Sequence, residues 1–225
     1  MLQSKLKSGC HSLWIISTLS LLLLVNTGCS RHQIHASVKF ENIALTASDL
    51  ETHGLGFITP STVTGQEQDI QSLAFIFARI LEEKRPQIRV VGLPETLSAV
   101  NQADLADEYK QMYIDYRDTG IFKQHPLQKT GEVSGVRYLA QLKLSGFSQS
   151  SKGRFGVLGL RLIQTKEANI RLFLQIWNSE NGAIVWEGTE ELVYSRDTST
   201  ERPVTFQLVV EEVASNLVSK LPQTN

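Results

Sequence analysis

The side chains in this chain that could do chemistry include two thiols, five histidines and the adjacent glutamates Glu82-Glu83 and Glu211-Glu212. His32 and His35 stand three apart, as a metal pair can, yet no cysteine, further histidine or acidic cluster joins them, and a solvated linker suits them better. His53 and His125 lack the second histidine and close-set carboxylate that a catalytic zinc site requires. Glu82-Glu83 and Glu211-Glu212 are neighbours in sequence, and neighbours on a helix point in different directions, so they read as solvated surface and not as acid–base pairs. No Gly-rich loop followed by Lys-Ser or Lys-Thr could cradle a phosphate, and no serine sits in a Gly-x-Ser-x-Gly elbow. The expectation is a protein that is not an enzyme, with no catalytic residue, no metal site, no cofactor and no small-molecule substrate. The thiols remain, Cys10 and Cys29.

Position gives Cys29 its meaning. Lys5 and Lys7 form a short positive head, and residues 13–25 are an almost unbroken apolar run that ends in Leu21-Leu22-Leu23-Leu24-Val25. About 13 residues fall well short of the roughly 20 that a helix needs to cross a bilayer. A basic head, a short apolar core and small residues before a break describe a secretory signal that is removed. The following Asn26-Thr27-Gly28-Cys29 resembles the lipobox of bacterial lipoproteins, although Asn26 stands where that pattern prefers Leu. The resemblance implies cleavage before Cys29, diacylation of its sulfur and acylation of the new amino terminus. Three acyl chains would hold the protein on a membrane almost permanently. Ser30 takes the place where lipoproteins kept in a Gram-negative inner membrane carry Asp, which implies the outer membrane, facing the periplasm. The expected organisation is a signal peptide over residues 1–28, a lipidated tether over 29–37 and one domain over 38–225.

Processing also fixes the composition. Cys10 leaves with the signal and Cys29 becomes the anchor, so the mature body has no thiol for a disulfide or a nucleophile. Loss of Lys5 and Lys7 takes the formal net charge from −1 to −3, which offers no general electrostatic footprint for nucleic acid. The whole chain is 41% hydrophobic, and the 225 − 28 = 197 residues that remain after processing can bury one sizeable core.

The elements follow in order. Residues 38–45 alternate loosely as an edge strand, and Thr46-Ala47-Ser48-Asp49 offers a capping box for a turn that Gly54 ends. Residues 55–59 form a buried strand, 61–65 a loop, and 66–84 the clearest helix, with Ile70, Leu73, Phe77, Ile80 and Leu81 on one face. Pro86 stops that helix before a strand at 88–91, which predicts a parallel strand–helix–strand crossover. Helices follow from Leu93, over 103–118 with its stripe of Leu105, Tyr109, Met112, Tyr113 and Tyr116, and over 126–134. Thereafter the chain reads as a strand at 138–147, a polar turn at 148–153, and strands at 157–163 and 170–177. A tight Asn-Gly hairpin loop at 178–182, a strand at 183–194, a polar loop at 196–202 and a closing helix at 204–221 complete it. The fold class is α/β: a single sandwich domain whose mixed, largely antiparallel sheet has helices packed on it.

Three stretches resemble a group of bacterial envelope lipoproteins that includes the curli secretion lipoprotein and the activators of peptidoglycan synthases. They are Gly135-Val136-Arg137-Tyr138-Leu139, the hairpin from Leu174 through Asn181-Gly182 to Trp186, and the closing helix. Arg137 departs from the Asp of that pattern. The functional expectation is a non-catalytic lipoprotein that docks an envelope protein, with Tyr113, Tyr116 and Arg154 as candidate contacts. Packing inside the domain is the alternative for both tyrosines. A second reading is a subunit of an oligomeric outer-membrane export channel. It needs amphipathic strands long enough to cross the membrane, and Arg161, Lys166, Glu167 and Arg171 interrupt the only candidate hairpin. An unrecognised envelope enzyme is the third.

Overall fold

The structure, a computed structural model, describes residues 32–62, 67–157, 160–198 and 203–223. Cys29 and the apolar run before it lie outside the described residues. Among those described, the order is β1 (His32–Asn42), α1 (Ala47–His53), β2 (Leu55–Phe57), β3 (Ser61–Thr62), α2 (Glu67–Lys84), β4 (Val90–Val91), α3 (Leu93–Gln102) and α4 (Ala106–Thr119). There follow α5 (Gln124–Ser134), β5 (Tyr138–Val157), β6 (Leu160–Asn178), β7 (Ala183–Thr198) and α6 (Phe206–Ser219). All seven strands join one sheet in the order β1-β7-β6-β5-β2-β4, with β3 also on β5. The first four of these pair antiparallel, and β2, β3 and β4 pair parallel, so the fold is the expected mixed, largely antiparallel α/β domain.

Local chemistry accounts for most boundaries. Thr46 and Asp49 form the reciprocal capping box that opens α1. The crossover is present, with Leu55 paired parallel to Val90 across β2 and β4. Gly120 and Gly135 end α4 and α5 in the left-handed region, at φ 74 and 67°, where a Cβ would be strained. The Thr205 hydroxyl accepts from the Leu208 amide and starts α6 just beyond Pro203.

Alternation divides the core between two faces. Tyr138, Ala140, Leu142 and Leu144 of β5, with the even-numbered residues Ala168 to Ile176 of β6, pack under α2 and α6 in the larger apolar cluster. Leu139 and Trp177 point the other way and join Met112, Phe122, Leu127 and Val136 in a smaller cluster beneath α4 and α5.

The structure corrects the sequence reading in several places. The strands expected at 157–163 and 170–177 are not separate: Val157 ends β5, and 160–178 is the single strand β6. The turn expected at 148–153 is strand: β5 runs unbroken for 20 residues and β6 for 19, with Ser148 opposite Asn169 and Ser150 opposite Glu167. Here β5 is exposed over 148–152 and the facing β6 buries only Thr165 and Ala168, so little apolar alternation shows, and cross-strand pairing overrides the weak β-propensity of Ser, Gly and Lys. Residues 32–37, expected in the tether, belong to β1, whose pairing with β7 starts at His32 opposite Arg196. Their side chains are exposed throughout, which is why they read as a linker. The strand at 183–194 likewise continues to Thr198, and the rest of the expected loop, 199–202, lies outside the described residues.

One carboxylate sits in the core. Glu190 of β7 is fully buried under α6; its Oε1 accepts from Asn216 Nδ2 at 2.8 Å, and its Oε2 has no partner. Burial pushes its carboxyl up to about 7, the Asn216 amide opposes that rise, and the nearby Glu212 charge adds to it. From the ordinary value of 4.5 up to about 7, the folded chain holds a proton that the unfolded chain has released. Stability therefore falls as pH rises through that window and levels off above it. Glu190→Gln keeps the Asn216 bond and removes the ionisation. It is expected to raise Tm by about 2–4 °C at pH 8, on the order of 1 kcal/mol after screening, and to leave Tm unchanged near pH 4.5. Calorimetry across pH 4.5–8 measures this; an equal shift at both ends would contradict it.

Candidate functional site

Because α4 and α5 cover only part of their face, the rest of that sheet surface is open. Two rows of side chains cross it from β1 to β5. In the first row Glu41 pairs with Glu187, Glu187 with Gln175, and Gln175 with Gln141. In the second, Lys39 pairs with Thr189, Thr189 with Phe173, and Phe173 with Lys143. With Tyr116 of α4 as its wall, this trough encloses about 430 Å³.

Hydrogen bonds run from the helix wall into the floor. Tyr116 Oη donates to Gln175 Oε1 at 3.3 Å, and Gln175 Nε2 donates to Glu187 Oε2 at 3.2 Å. Deeper in, Tyr113 Oη donates to the Thr59 carbonyl at 2.7 Å and lies 3.3 Å from Gln141 Oε1, while Tyr109 Oη accepts from the Thr59 amide at 2.9 Å. Gln141 Nε2 donates to Ser61 Oγ at 3.2 Å, which holds β3 against β5. Burial drives the Tyr113 hydroxyl well above its ordinary value, so it stays a neutral donor. Lys39, Glu41 and Lys143 have no ion-pair partner among the described residues, and they give the trough both signs of charge. Such a surface can hydrogen-bond and ion-pair with an extended polar ligand; it holds no nucleophile beside a base.

The expected contact residues divide. Tyr113 and Tyr116 pack against the smaller apolar cluster, where the Tyr116 ring stacks on Phe122 at 4.2 Å and Phe122 meets Trp177 edge-on at 5.1 Å. Tyr113 is therefore structural, and only the hydroxyl of Tyr116 reaches the trough. Arg154 lies in β5, but its side chain is outside the described residues. His32 stacks on Tyr194 at 6.3 Å, and His53 meets Tyr138 edge-on at 6.3 Å. Glu211 pairs with Arg79 at 2.6 Å, and Arg79 also pairs with Glu83, so these glutamates tie α6 to α2. Among the described residues, no three His, Cys, Asp or Glu side chains converge to hold a metal ion. Sequence reading missed the trough itself, whose signal was the paired polar positions Gln141, Lys143 and Gln175 on otherwise apolar strands.

No protein-family model and no curated protein matches the chain. Solved structures do resemble it. A PelC dodecamer from Paraburkholderia phytofirmans aligns at 16% identity and TM-score 0.42, over 83% of this chain and 95% of that one. Lipoprotein GNA1162 from Neisseria meningitidis aligns at 12% and 0.39, over 74% and 96%. The LpoB C-terminal domain from Salmonella enterica aligns at 11% and 0.33, over 62% and 82%. Of the three, GNA1162 is called a lipoprotein, as is the group that the sequence resembles. Overlap this loose speaks to neither partner nor activity, which rest on the residues above.

If Tyr113 belongs to the packing, Tyr113→Phe should lower unfolding stability in urea by about 1–3 kcal/mol, because a buried carbonyl loses its donor. Binding of any trough ligand should be unchanged. A variant of native stability with weakened binding would return Tyr113 to the contact surface.

Proposed function

We propose that this protein is a membrane-anchored, non-catalytic lipoprotein of the cell envelope that binds a partner protein along the β1 edge and the trough beside it. In this reading residues 1–28 are removed, Cys29 carries the lipid, and the domain begins almost at once, at His32. The outer membrane, facing the periplasm, is the location that Ser30 favours.

The observation that carries the reading is the edge itself. Among the described residues β1 is paired on one side only, over eleven residues, and its side chains are exposed nearly throughout. A long free edge is a template for another strand, and folded proteins usually shorten, cover or charge it. Here Ile34 and Phe40 are left exposed along it, with Ile43 just beyond its end, and the unpaired Lys39 and Glu41 line the adjoining trough. A partner that adds an extended segment to β1 would gain backbone hydrogen bonds from the edge and side-chain specificity from the trough. Anchoring both molecules at one membrane raises their effective concentration, so a modest interface suffices.

A photo-crosslinking residue at Lys39 should capture an envelope protein in cells, and the same residue at Phe75, exposed on α2, should not. Cys29→Ser should reduce the adduct strongly. Phe40→Asp should weaken binding about tenfold or more, roughly 1.4 kcal/mol. Identical adducts from positions 39 and 75, or none from 39, would refute the reading.

A further inference from the structure

The free edge of β1 carries Lys39, Phe40 and Glu41 in succession. Alternation puts Lys39 and Glu41 on the trough face. Phe40 stands on the other face, where its ring stacks on Trp186 at 6.3 Å, and it is still 51% exposed. On the paired side Lys39 faces the neutral Thr189, while Glu41 faces Glu187, a like charge directly opposite, which is unfavourable. Neither Lys39 nor Glu41 has an ion-pair partner among the described residues. What the free side calls for is therefore specific: an acid opposite Lys39, an apolar side chain opposite Phe40 and a base opposite Glu41.

Lys39-Phe40-Glu41 itself, run antiparallel, meets all three demands. A two-fold axis through Phe40 sets Lys39 opposite Glu41 of a second copy, Phe40 opposite Phe40, Glu41 opposite Lys39, and Val38 opposite Asn42. Registers that keep like faces together but slip by one step place Lys39 opposite Lys39, or Glu41 opposite Glu41, and like charges directly opposite repel. The register that would pair all eleven residues of β1 sets Ser37 opposite itself, Lys39 opposite His35 and Glu41 opposite Gln33, with no acid facing Lys39. Pairing in the favoured register runs from Val38 to Asn42. Beyond it the Ile43 and Ala44 amides both turn away to the Val185 carbonyl, at 3.0 Å each.

We infer that the strand added to β1 is the β1 of a second copy of this chain, antiparallel across a two-fold axis at Phe40, with Lys39 and Glu41 ion-paired between the copies. The inference rests on the reading of β1 as the partner-binding edge and names what occupies it. Backbone hydrogen bonds along the edge and the Phe40–Phe40 contact supply the attraction. The two ion pairs are exposed and add little to it, but they select the register and reject its neighbours. Lys39 of the second copy also neutralises the repulsion that Glu41 and Glu187 exert on each other within one sheet. A contact of five paired residues is short, so the dimer forms where the copies are concentrated.

Mild oxidation of cells that produce the full-length protein tests this. Phe40→Cys brings two thiols together on Cα atoms about 5 Å apart, within disulfide reach. Ser37→Cys leaves them about six residues, roughly 20 Å, apart, and Phe75→Cys on α2 sets the background. A disulfide-linked dimer is expected from position 40, with no more than background from 37. With Phe40→Cys in place, Lys39→Glu or Glu41→Lys alone sets like charges opposite each other twice and should cut the dimer about fivefold or more. Making both changes in one chain, or mixing the two single variants under different tags, puts opposite charges back in register and should restore it. A yield that ignores these exchanges, or is greater from 37 than from 40, overturns the inference. No dimer from 40 while a photo-crosslinking residue at Lys39 captures a different protein overturns self-pairing and leaves the edge reading intact. No adduct of either kind overturns the edge reading as well.

Discussion

A strand presents alternate side chains to opposite faces, so one covered by helices on both sides must be apolar at every position, and one covered on a single side only at every second. β5 passes from the first condition to the second within a few residues. Tyr138, Leu139, Ala140, Gln141 and Leu142 are all buried, Lys143 is exposed, and Leu144 is buried again. The change marks where α4 and α5 stop, and the trough lies just past it. The half between two helical layers is packed core, while the half with one bare face presents Lys39 and Lys143 to solvent, with Phe173 and Thr189 partly exposed.

This geometry explains which parts of the fold were legible in the sequence. Where burial is one-sided or complete, the periodicity was plain: α2 and α6 show wide apolar stripes, and the crossover from β2 to β4 follows from Pro86 and the run around Val90. Caps and turns were legible for a different reason, since Thr46, Gly120, Gly135 and the Asn181-Gly182 pair each satisfy a local backbone requirement. Residues 148–153 of β5, the facing 164–169 of β6 and the first half of β1 were not. Their side chains meet water on one face or both, and what holds them is pairing with residues far along the chain, such as His32 with Arg196 and Ser151 with Lys166. Local composition carries no record of such a partner. The trough was hidden for the same reason: Glu41, Glu187, Gln175 and Gln141 form a row only once four strands are in register.

The tyrosines of α4 show how residue type alone misleads. An aromatic stripe can serve a partner or a core, and the deciding fact is where the hydroxyls go. Tyr109 and Tyr113 both bond the backbone of Thr59, which follows β2 directly, so they fasten the parallel part of the sheet to the helix above it. Tyr116, one turn further on, is close enough to the edge of the helical cover that its hydroxyl meets Gln175 on the open surface. The wall of the trough and the packing of the domain are thus one structure, and a ligand in the trough would press on groups that are already fixed, at little cost in ordering.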